Sequence, residues 1–496
     1  MPVLVTQVHY ALRCTGKRKP LLHESSSQSS VSACPGLFYH TPALDGTLLR
    51  VRIPGGLLNS LQSQVLADLA TDYGDGHLYV TNRANLQIRA VETRLPPDRL
   101  QELQRFGLAA RDPDLDPLRN IMTSPTAGID PTERYDTRFL VSILDEYIQS
   151  RPDWAGLPPK FSVCFDGGGT VSVADRPNDI SLVAIESSAG VLFRLRLGGE
   201  AGQLWDTGLL LQPEHCILMV IAISELYLEY IQHGGWRQDL ALGRRVKVRR
   251  PRLRHLITAW GREQFLERAI EGSTVPVIRT IPTPLPCAST PSAHLGAHPQ
   301  RQPEFSYLGI VLPLGQLSSG QMRELAALSE TYGSGTLRLT PWQNLLIGDL
   351  PTEQVAQVRT EIAQMGLDCS PENYYGALMA CPGRLGCAAA ATDTPSHAVA
   401  LAQYLQPRLS PPQPVSIHFS GCEKSCAQSL SSDITLLGTP LAGEEGSEGY
   451  DIYIQGHSNR ETRFGHLLHE AIPAHQVPQV VEEILRNNPF DGQDNR

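Results

Sequence analysis

Cys381-Pro-Gly-Arg-Leu-Gly-Cys387 and, further on, Cys422-Glu-Lys-Ser-Cys426 together hold four of the ten cysteines of this chain. The two pairs have the spacings C-x5-C and C-x3-C. The 35 positions from Cys387 to Cys422 are enough for a helix and a strand that bring the chain back to one point. Four thiolates that meet at one point are a typical ligand set of a metal centre. The sequence therefore predicts a metal site in its C-terminal part.

Ligation by sulfur alone suits either a 4Fe-4S cluster or tetrahedral zinc. Zinc sites usually pair their cysteines at C-x2-C to C-x4-C spacing, so the longer C-x5-C loop favours the bulkier cluster. Gly383, Gly386 and Gly421 lie beside the cysteines, where glycine lets the backbone approach a ligand closely. The alternative is four reduced cysteines that are buried as small apolar side chains. The two closely spaced pairs favour the cluster.

The composition narrows the class of protein. With 496 residues, of which 41% are hydrophobic and 19% charged, the chain is long enough for about three or four globular domains. Its net charge of -9 argues against general binding of nucleic acid. The most apolar run, residues 216–223, is too short to span a membrane, and no secretion signal is evident. The other six cysteines are scattered, which favours a reducing cytoplasm over a disulfide framework.

A sequence pattern that begins at residue 51 returns 259 positions later. In both copies a Pro-containing loop leads to an amphipathic helix, a Tyr-Gly-x-Gly turn and a strand. The identities at this offset are Pro54 and Pro313, Gly56 and Gly315, Tyr73 and Tyr332, Thr81 and Thr340, and Asn85 and Asn344. Residues 160–167 resemble residues 414–421 at an offset of 254. We therefore predict an internal duplication in which only the second copy carries the paired cysteines.

Two segments between the copies are compositionally biased. Residues 237–254 are strongly basic, which is typical of a solvated connector but also of a wall near an anionic ligand or a docking face for an acidic redox partner. Residues 274–302 are rich in Pro, Thr, Ser and Ala and predict a linker between the halves.

With this duplication and these cysteine spacings, the chain resembles the sulfite/nitrite reductase superfamily, whose members hold a 4Fe-4S cluster beside a siroheme. The resemblance covers about residues 37–485. Within the superfamily it is strongest to the precorrin-3B synthases. The segments that carry it are Ala33-Cys-Pro-Gly-Leu37, Thr81-Asn-Arg-Ala-Asn-Leu-Gln-Ile-Arg89, Lys160-Phe-Ser-Val-Cys-Phe-Asp-Gly-Gly-Gly169 and Ser420-Gly-Cys-Glu-Lys-Ser-Cys-Ala427.

The resemblance implies an α+β fold with two ferredoxin-like half-domains and two larger α+β domains, related by pseudo-twofold symmetry. The expected order begins with a flexible extension (1–33), the first half-domain (34–110) and the first reductase-like domain (111–272). A linker (273–303) leads to the second half-domain (304–370) and the second reductase-like domain with the cluster (371–487). A short tail (488–496) follows.

The resemblance also assigns roles to residues. It implies that Cys381, Cys387, Cys422 and Cys426 are the cluster ligands, and in the reductases the last of these also bridges to the siroheme iron. It further implies that a set of basic and amide side chains binds the carboxylates of a tetrapyrrole, for which arginine offers a planar fork and lysine a point charge. That set is Arg83, Asn85, Arg119, Asn120 and Lys160. No catalytic residue is assigned.

Two departures from the reductases guide the expected reaction. Reductases place a second lysine, which contacts the small oxyanion, at the position of Ser162, and they usually have Pro and Asn where this chain has Glu423-Lys424-Ser425. The loss of a cation that stabilises a small oxyanion would be costly in a reductase. It would be tolerable in an enzyme whose substrate is the macrocycle itself. The expected function is therefore that of a precorrin-3B synthase-like monooxygenase of cobalamin biosynthesis, which oxidises precorrin-3A with O2 to a hydroxy-lactone.

This function would need an external electron donor, either NAD(P)H-linked or ferredoxin, because no dinucleotide-binding glycine motif follows a strand here. The family is described with an additional non-haem iron. His418 is the one candidate ligand, and a packed strand histidine is the preferred interpretation of it. Two alternatives remain open. One is a ferredoxin-dependent siroheme nitrite or sulfite reductase, and the other is a non-catalytic tetrapyrrole carrier or redox relay.

Overall fold

The computed structural model describes residues 35–39, 41–188, 190–199, 203–233, 251–281, 292–409, 415–428, 432–441, 447–455 and 464–487. The predicted N-terminal extension, most of the basic segment, the central part of the predicted linker and the predicted tail lie outside these residues. The domain boundaries given above stay predictions. None of the helices in the described ranges is long and apolar enough to cross a membrane.

Strands and helices alternate irregularly along the chain. The strands of the described residues are β1 Thr41–Ala43, β2 Gly46–Val51, β3 Leu57–Asn59, β4 His77–Val80, β5 Leu86–Val91, β6 Ile121–Thr123, β7 Val163–Asp166, β8 Ile180–Ser187, β9 Gly190–Gly198, β10 Leu204–Leu211, β11 Ile278–Arg279, β12 Gly296–Pro299, β13 Phe305–Ile310, β14 Gln316–Ser318, β15 Thr336–Leu339, β16 Leu345–Pro351, β17 Leu378–Ala380, β18 Ile417–Ser420, β19 Ile434–Pro440, β20 Glu448–Ile454 and β21 His466–Pro473. The helices are α1 Ser60–Tyr73, α2 Pro97–Arg105, α3 Arg138–Gln149, α4 Cys216–Gln232, α5 Leu253–Trp260, α6 Arg262–Ser273, α7 Ser319–Tyr332, α8 Val355–Gln364, α9 Gly383–Gly386, α10 Thr394–Leu405 and α11 Val477–Arg486.

The two ferredoxin-like units exchange a strand. The first small sheet has the order β1-β2-β5-β4-β14, and the second has the order β12-β13-β16-β15-β3, so each ends in a strand from the other half. In the exchanged pairs Leu58 lies opposite Leu337, and Leu317 lies opposite Leu78. All four leucines are buried in a single core cluster that spans both units. The two units therefore share one hydrophobic core.

The helices that follow the exchanged strands begin in the same way. Asn59 accepts a hydrogen bond from the backbone N–H of Gln62 at 2.7 Å, and the side chain of Gln62 accepts one from the backbone N–H of Asn59 at 3.0 Å. Ser318 and Gln321 form the same reciprocal capping box 259 positions later, at 3.1 and 2.9 Å. A capping box satisfies two backbone donors that a helix start leaves unpaired. The offset that was predicted from identities therefore also relates residues that are not identical.

The larger units repeat each other as well. The first large sheet has the order β11-β10-β9-β8-β7-β6, and the second has the order β17-β18-β19-β20-β21. In both, the first three strands in chain order run parallel and the next strand turns antiparallel. Ser162 and Asp179 bond at the start of β7 as Ser416 and Asp433 bond at the start of β18, at the predicted offset of 254. Helices α3 and α4 pack in the first unit, and α10 and α11 in the second.

These features confirm the predicted fold class. The protein is an α+β structure with a duplicated arrangement of two small and two large sheets. The duplication is structural and not only a repeat in sequence, because capping residues, strand order and exchanged strands all recur at the predicted offsets.

Because the two small units exchange strands, we predict that they unfold together. Leu58→Ala and Leu317→Ala each remove a buried side chain from the shared core, and each is expected to cost about 2 to 5 kcal/mol. Leu57→Ala, at a neighbouring exposed position, is the matched control. Thermal unfolding followed by calorimetry should show one transition for both small units that moves with either core variant. Two separate transitions, of which each variant moves only one, would contradict the shared core.

Candidate functional site

The four paired cysteines come together because β17 and β18 are parallel neighbours. Parallel strands end at the same edge of a sheet, and here Ala380 at the end of β17 lies opposite Phe419 in β18. Cys381 follows β17 directly, and Cys422 and Cys426 lie in the loop after β18. The backbone N–H of Gly421 donates to Sγ of Cys381 at 3.2 Å, which joins the two loops. The edge of this sheet thus brings the C-x5-C and C-x3-C motifs to one place.

The sulfur atoms are close enough to influence one another's charge. Burial raises the pKa of the Cys426 thiol, and the charges of Cys422, Cys381 and Cys387 raise it further. Lys160 acts in the opposite direction and lowers it. Mutual repulsion among four thiolates is the cost that a bound cation removes, since a coordinated thiol loses its proton. The arrangement therefore favours a positively charged inorganic centre.

The loops around the cysteines leave room close to the sulfur atoms. A 4Fe-4S cluster is held by four cysteines bound to different irons, so it needs more space than a single zinc ion. A Cβ at Gly421 would meet Cβ of Ala390 at 2.5 Å and Sγ of Cys381 at 3.5 Å, so a larger residue would crowd the thiolate.

A cavity of about 740 Å³ opens beside Cys381, Cys387 and Cys426. Residues of the first small sheet and of the first large unit form the opposite wall. The basic side chains that line it are Arg50, Arg52, Arg83, Arg89, Lys160 and Arg252, against two lining carboxylates, Asp45 and Asp393. Its volume lies within the range of small-molecule sites, roughly 300 to 1,000 Å³. The excess of positive charge favours a large ligand with several anionic groups.

Arg83 lies in the turn between β4 and β5 and lines this cavity, as the sequence predicts. Its Nη1 donates to the side chain of Asn178 at 2.7 Å. The pKa of Arg83 is lowered to about 10, chiefly by desolvation; Asp179 opposes this shift and Arg252 adds to it. The guanidinium therefore stays charged at neutral pH in surroundings that disfavour the charge. A bound carboxylate would offset that cost.

Asn85 and Asn120 also line the cavity, and they bond to each other. Oδ1 of Asn85 accepts from the backbone N–H of Ile53 at 2.8 Å, and its Nδ2 donates to Oδ1 of Asn120 at 3.1 Å. In the second copy Asn344 accepts from the backbone of Leu312 at 3.1 Å. Asn85 and Asn344 thus hold the equivalent turn in each half, and this structural role accounts for the repetition of the asparagine.

Arg119 lies elsewhere. Its guanidinium forms two hydrogen bonds to the carboxylate of Asp145 on α3, at 2.7 and 3.0 Å, and a third to the carbonyl of Gly107 at 2.9 Å. It lines a separate, smaller cavity and not the one beside the cysteines. The motif placed Arg119 beside Asn120, but consecutive side chains diverge, and only Asn120 faces the large cavity. We therefore leave Arg119 out of the proposed site.

Four arginines that the sequence did not assign to the site line the large cavity, namely Arg50, Arg52, Arg89 and Arg252, and the bonds of Arg89 and Arg252 show how two of them are held. Arg89 forms two hydrogen bonds to Asp45, at 2.8 and 3.0 Å, and also donates to the carbonyl of Gly386 in the C-x5-C loop at 3.3 Å. Arg252 bonds to both carboxylate oxygens of Asp179, at 3.0 and 2.9 Å. In the sequence, the strongly basic segment that contains Arg252 could have pointed to this residue. For Arg89 the contact to the cluster loop spans nearly 300 residues and leaves no local trace.

His418 is a packed strand histidine, as preferred above. It is buried in the middle of β18, between Met379 of β17 and Thr435 of β19. The additional iron expected from the resemblance finds no ligand set among the described residues.

The sequence matches two family models that together cover most of the chain. The nitrite/sulfite reductase ferredoxin-like half domain matches residues 42–105 and 298–365. The nitrite and sulphite reductase 4Fe-4S domain matches residues 115–276 and 373–491. The chain belongs to the nitrite/sulfite reductase family. Its 4Fe-4S cluster, predicted from the cysteine spacing, is confirmed by the second of these matches.

Similar proteins with known names show which members of the family this chain resembles. The chain is 30% identical over 461 residues to a ferredoxin–nitrite reductase of Synechococcus elongatus, covering 91% of this chain and 88% of the relative. It is also 30% identical to the chloroplastic ferredoxin–nitrite reductase of Zea mays, covering 91% and 80%. The solved structure of the Mycobacterium tuberculosis NirA protein matches with a TM-score of 0.76, covering 91% of this chain and 82% of that one. At 23% identity that structure supports the fold alone.

The prediction of a precorrin-3B synthase is wrong, because the relatives that match the chain over nearly its whole length are ferredoxin–nitrite reductases. The precorrin substrate and O2 have no support, whereas the assignment as an oxidoreductase of this family stands. Ser162 misled the prediction. It is buried and bonds to Asp179, which also holds Arg252. Although Ser162 is uncharged, the cavity therefore still contains positively charged side chains.

The cluster can be tested by removing one ligand at a time. Cys422→Ser is expected to abolish the broad visible absorption of the cluster and most of the bound iron, because a hydroxyl is a poor substitute for a soft thiolate. Cys369→Ala is the matched control, since Cys369 is a buried cysteine outside the site. Iron and sulfide analysis of both purified variants measures the effect. Full iron content in Cys422→Ser would show that Cys422 is not a ligand.

Proposed function

We propose that this protein is a ferredoxin-dependent siroheme nitrite reductase. The observation that carries the proposal is the basic cavity of about 740 Å³ whose wall includes three of the four paired cysteines. The naming of the relatives as ferredoxin–nitrite reductases over 91% of the chain supports the same reaction. The product would be ammonium, with both oxygens of nitrite leaving as water.

The residues present fit a siroheme in this cavity. A siroheme carries carboxylates around its rim, and the cavity supplies six basic side chains to bind them. Arg83 and Arg89 come from the first half, whereas Cys426 comes from the second, so residues of both halves would hold the macrocycle. When bound, siroheme supplies an iron that binds nitrite and receives electrons from the cluster.

Three basic side chains then have distinct roles. Arg83 and Arg252 carry fixed positive charge, since both are held by hydrogen bonds to neighbouring residues. Such prearranged charge stabilises an anion and the negative charge that develops as it is reduced. Lys160 is exposed to the cavity and lies close enough to Cys426 to lower the pKa of its thiol. Because guanidinium groups do not lose protons in proteins, Nζ of Lys160 is the proposed proton donor to the leaving oxygens.

The electrons are proposed to come from a separate ferredoxin. No dinucleotide-binding motif follows a strand in this sequence, and the relatives are named for ferredoxin. Leu385, between Cys381 and Cys387, is 69% exposed but lines the large cavity, so its exposure does not mark the docking face of the donor.

The direct test is an assay of the purified protein with siroheme and cluster reconstituted under anaerobic conditions. Reduced ferredoxin is the donor, and nitrite loss and ammonium formation are measured in parallel. Bound siroheme should be visible as an intense Soret band. A parallel assay with sulfite in place of nitrite shows which of the two anions is the substrate. A protein with full siroheme and iron content that reduces neither anion would overturn the proposal.

Variants of Lys160 can distinguish the effect of its positive charge from its proposed role as a proton donor. Lys160→Arg keeps the positive charge but cannot release a proton, so kcat should fall by about 100-fold or more while KM for nitrite changes little. Lys160→Met removes both functions and should also raise KM. The Soret absorption of each variant reports siroheme content and serves as the control. If Lys160→Arg reacts at the normal rate, the proton comes from another group.

A further inference from the structure

A second cavity, of about 330 Å³, lies on the first half of the molecule between the loop after β2, the loop after β6 and helix α3. It lies apart from the cysteines, none of which line it. The charged side chains that line it are Arg52, Arg119, Arg138 and Arg338 against one carboxylate, Asp145. Its volume is at the lower end of the range of small-molecule sites. Four guanidinium groups around so small a space favour the binding of an anion.

The guanidinium groups are held in place by the protein. Arg119 is fixed by its two bonds to Asp145. Nη1 of Arg338 donates to two carbonyls of the loop after β6, at 3.0 and 2.8 Å. Arg138 lies over Gly128, where a Cβ would meet its Nη2 at 2.1 Å. Gly128 also has a φ of +79°, so both its conformation and its contact require glycine. A larger residue there would displace the charge.

Two of these arginines each have one guanidinium nitrogen without a hydrogen-bond partner among the described residues. Nη1 of Arg119 and Nε of Arg338 are buried, and neither has a hydrogen-bond partner in the described part of the chain. Both residues are only 3% exposed. Both nitrogens are shielded from the cavity, so a ligand there would interact with the charge of each guanidinium group and not with these two N–H donors. The pKa of Arg338 is lowered to about 10, chiefly by burial and also by the charge of Arg138. A bound oxyanion would offset the cost of keeping the buried guanidinium group charged.

The duplication explains why a second pocket exists at this position. At the offset of 259, Leu57 of this pocket corresponds to Gln316, and Arg338 corresponds to Tyr79. Gln316 and Tyr79 both line the large cavity beside the cysteines. The small pocket is therefore related to part of the cofactor cavity by the internal symmetry. The two cavities differ in chemistry, since the small pocket is lined by guanidinium groups and by none of the paired cysteines.

We propose that this pocket binds a small organic anion that has a carboxylate or phosphate head group on an apolar body. The guanidinium groups would bind the head group. The body would contact the apolar part of the lining, which includes Ile53, Leu58, Leu108 and Val141. The site does not use the cluster, and Arg52 is the one charged side chain that it shares with the cavity beside the cysteines, so the other three guanidinium groups are separate from the proposed function.

Calorimetric titration of the complete, cofactor-loaded protein tests the chemistry of the ligand. The probes are benzoate and phenyl phosphate, with inorganic phosphate as a head group without a body and benzyl alcohol as a neutral body. Benzoate or phenyl phosphate is expected to bind saturably at one site per chain and more tightly than inorganic phosphate. The proposal fails if neither binds, or if benzyl alcohol binds as tightly as the anions.

Variants locate the binding. Ser142→Phe places a ring in the pocket from the exposed side of α3 and should abolish binding, whereas Ser142→Ala keeps the space and should not. Arg138→Gln removes one charge and should weaken binding about tenfold or more. The side chain of Arg138 is 42% exposed, so this variant is expected to fold, and circular dichroism checks it. Unchanged affinity in both Ser142→Phe and Arg138→Gln would place the anion elsewhere and overturn the proposal.

Discussion

The exchange of β3 and β14 between the small sheets is the constraint on which the rest of the structure depends. Each strand is only three residues long, yet each closes the sheet of the other half and begins the helix that packs against its counterpart. The core leucines of both sheets then form one cluster. Because neither half can complete its core alone, the relative position of the halves is fixed by hydrophobic packing and not by a flexible interface. That fixed position is what the cofactor site requires.

The site itself is divided between the halves. Thiolates come from the edge of the second large sheet, and most of the positive charge comes from the first small sheet and the first large unit. Arg89 joins the two directly, since one guanidinium bonds to Asp45 in the first half and to the carbonyl of Gly386 in the second. A duplicated fold can thus specialise each copy for one task. One copy retains ligands for metal, and the other provides cations for a polyanionic ligand.

The sequence predicted those parts of the site that depend on local spacing. The cysteine pairs and the 259-residue offset are periodic or closely spaced, so they could be read without a structure. The orientation of Arg119 could not, because its choice of Asp145 over the cavity depends on where α3 packs. The role of Arg252 was hidden for a similar reason, since Asp179, which orients it, is 73 residues away. The error over Ser162 arose from treating one position as the only source of charge.

The cavities of this protein are lined by positive charge, although the chain as a whole is negatively charged. The chain carries a net charge of -9, yet basic side chains outnumber acidic ones in the lining of both cavities. In the large cavity, two of the arginines are each held by a carboxylate, Arg89 by Asp45 and Arg252 by Asp179. A carboxylate that binds one side of a guanidinium orients it and limits the cost of its burial. The net positive potential that remains acts over the width of the cavity, because a low-dielectric wall weakens such a field less than water does. An acidic protein can therefore bind anionic ligands tightly, provided that each cation is paired on the side away from the ligand.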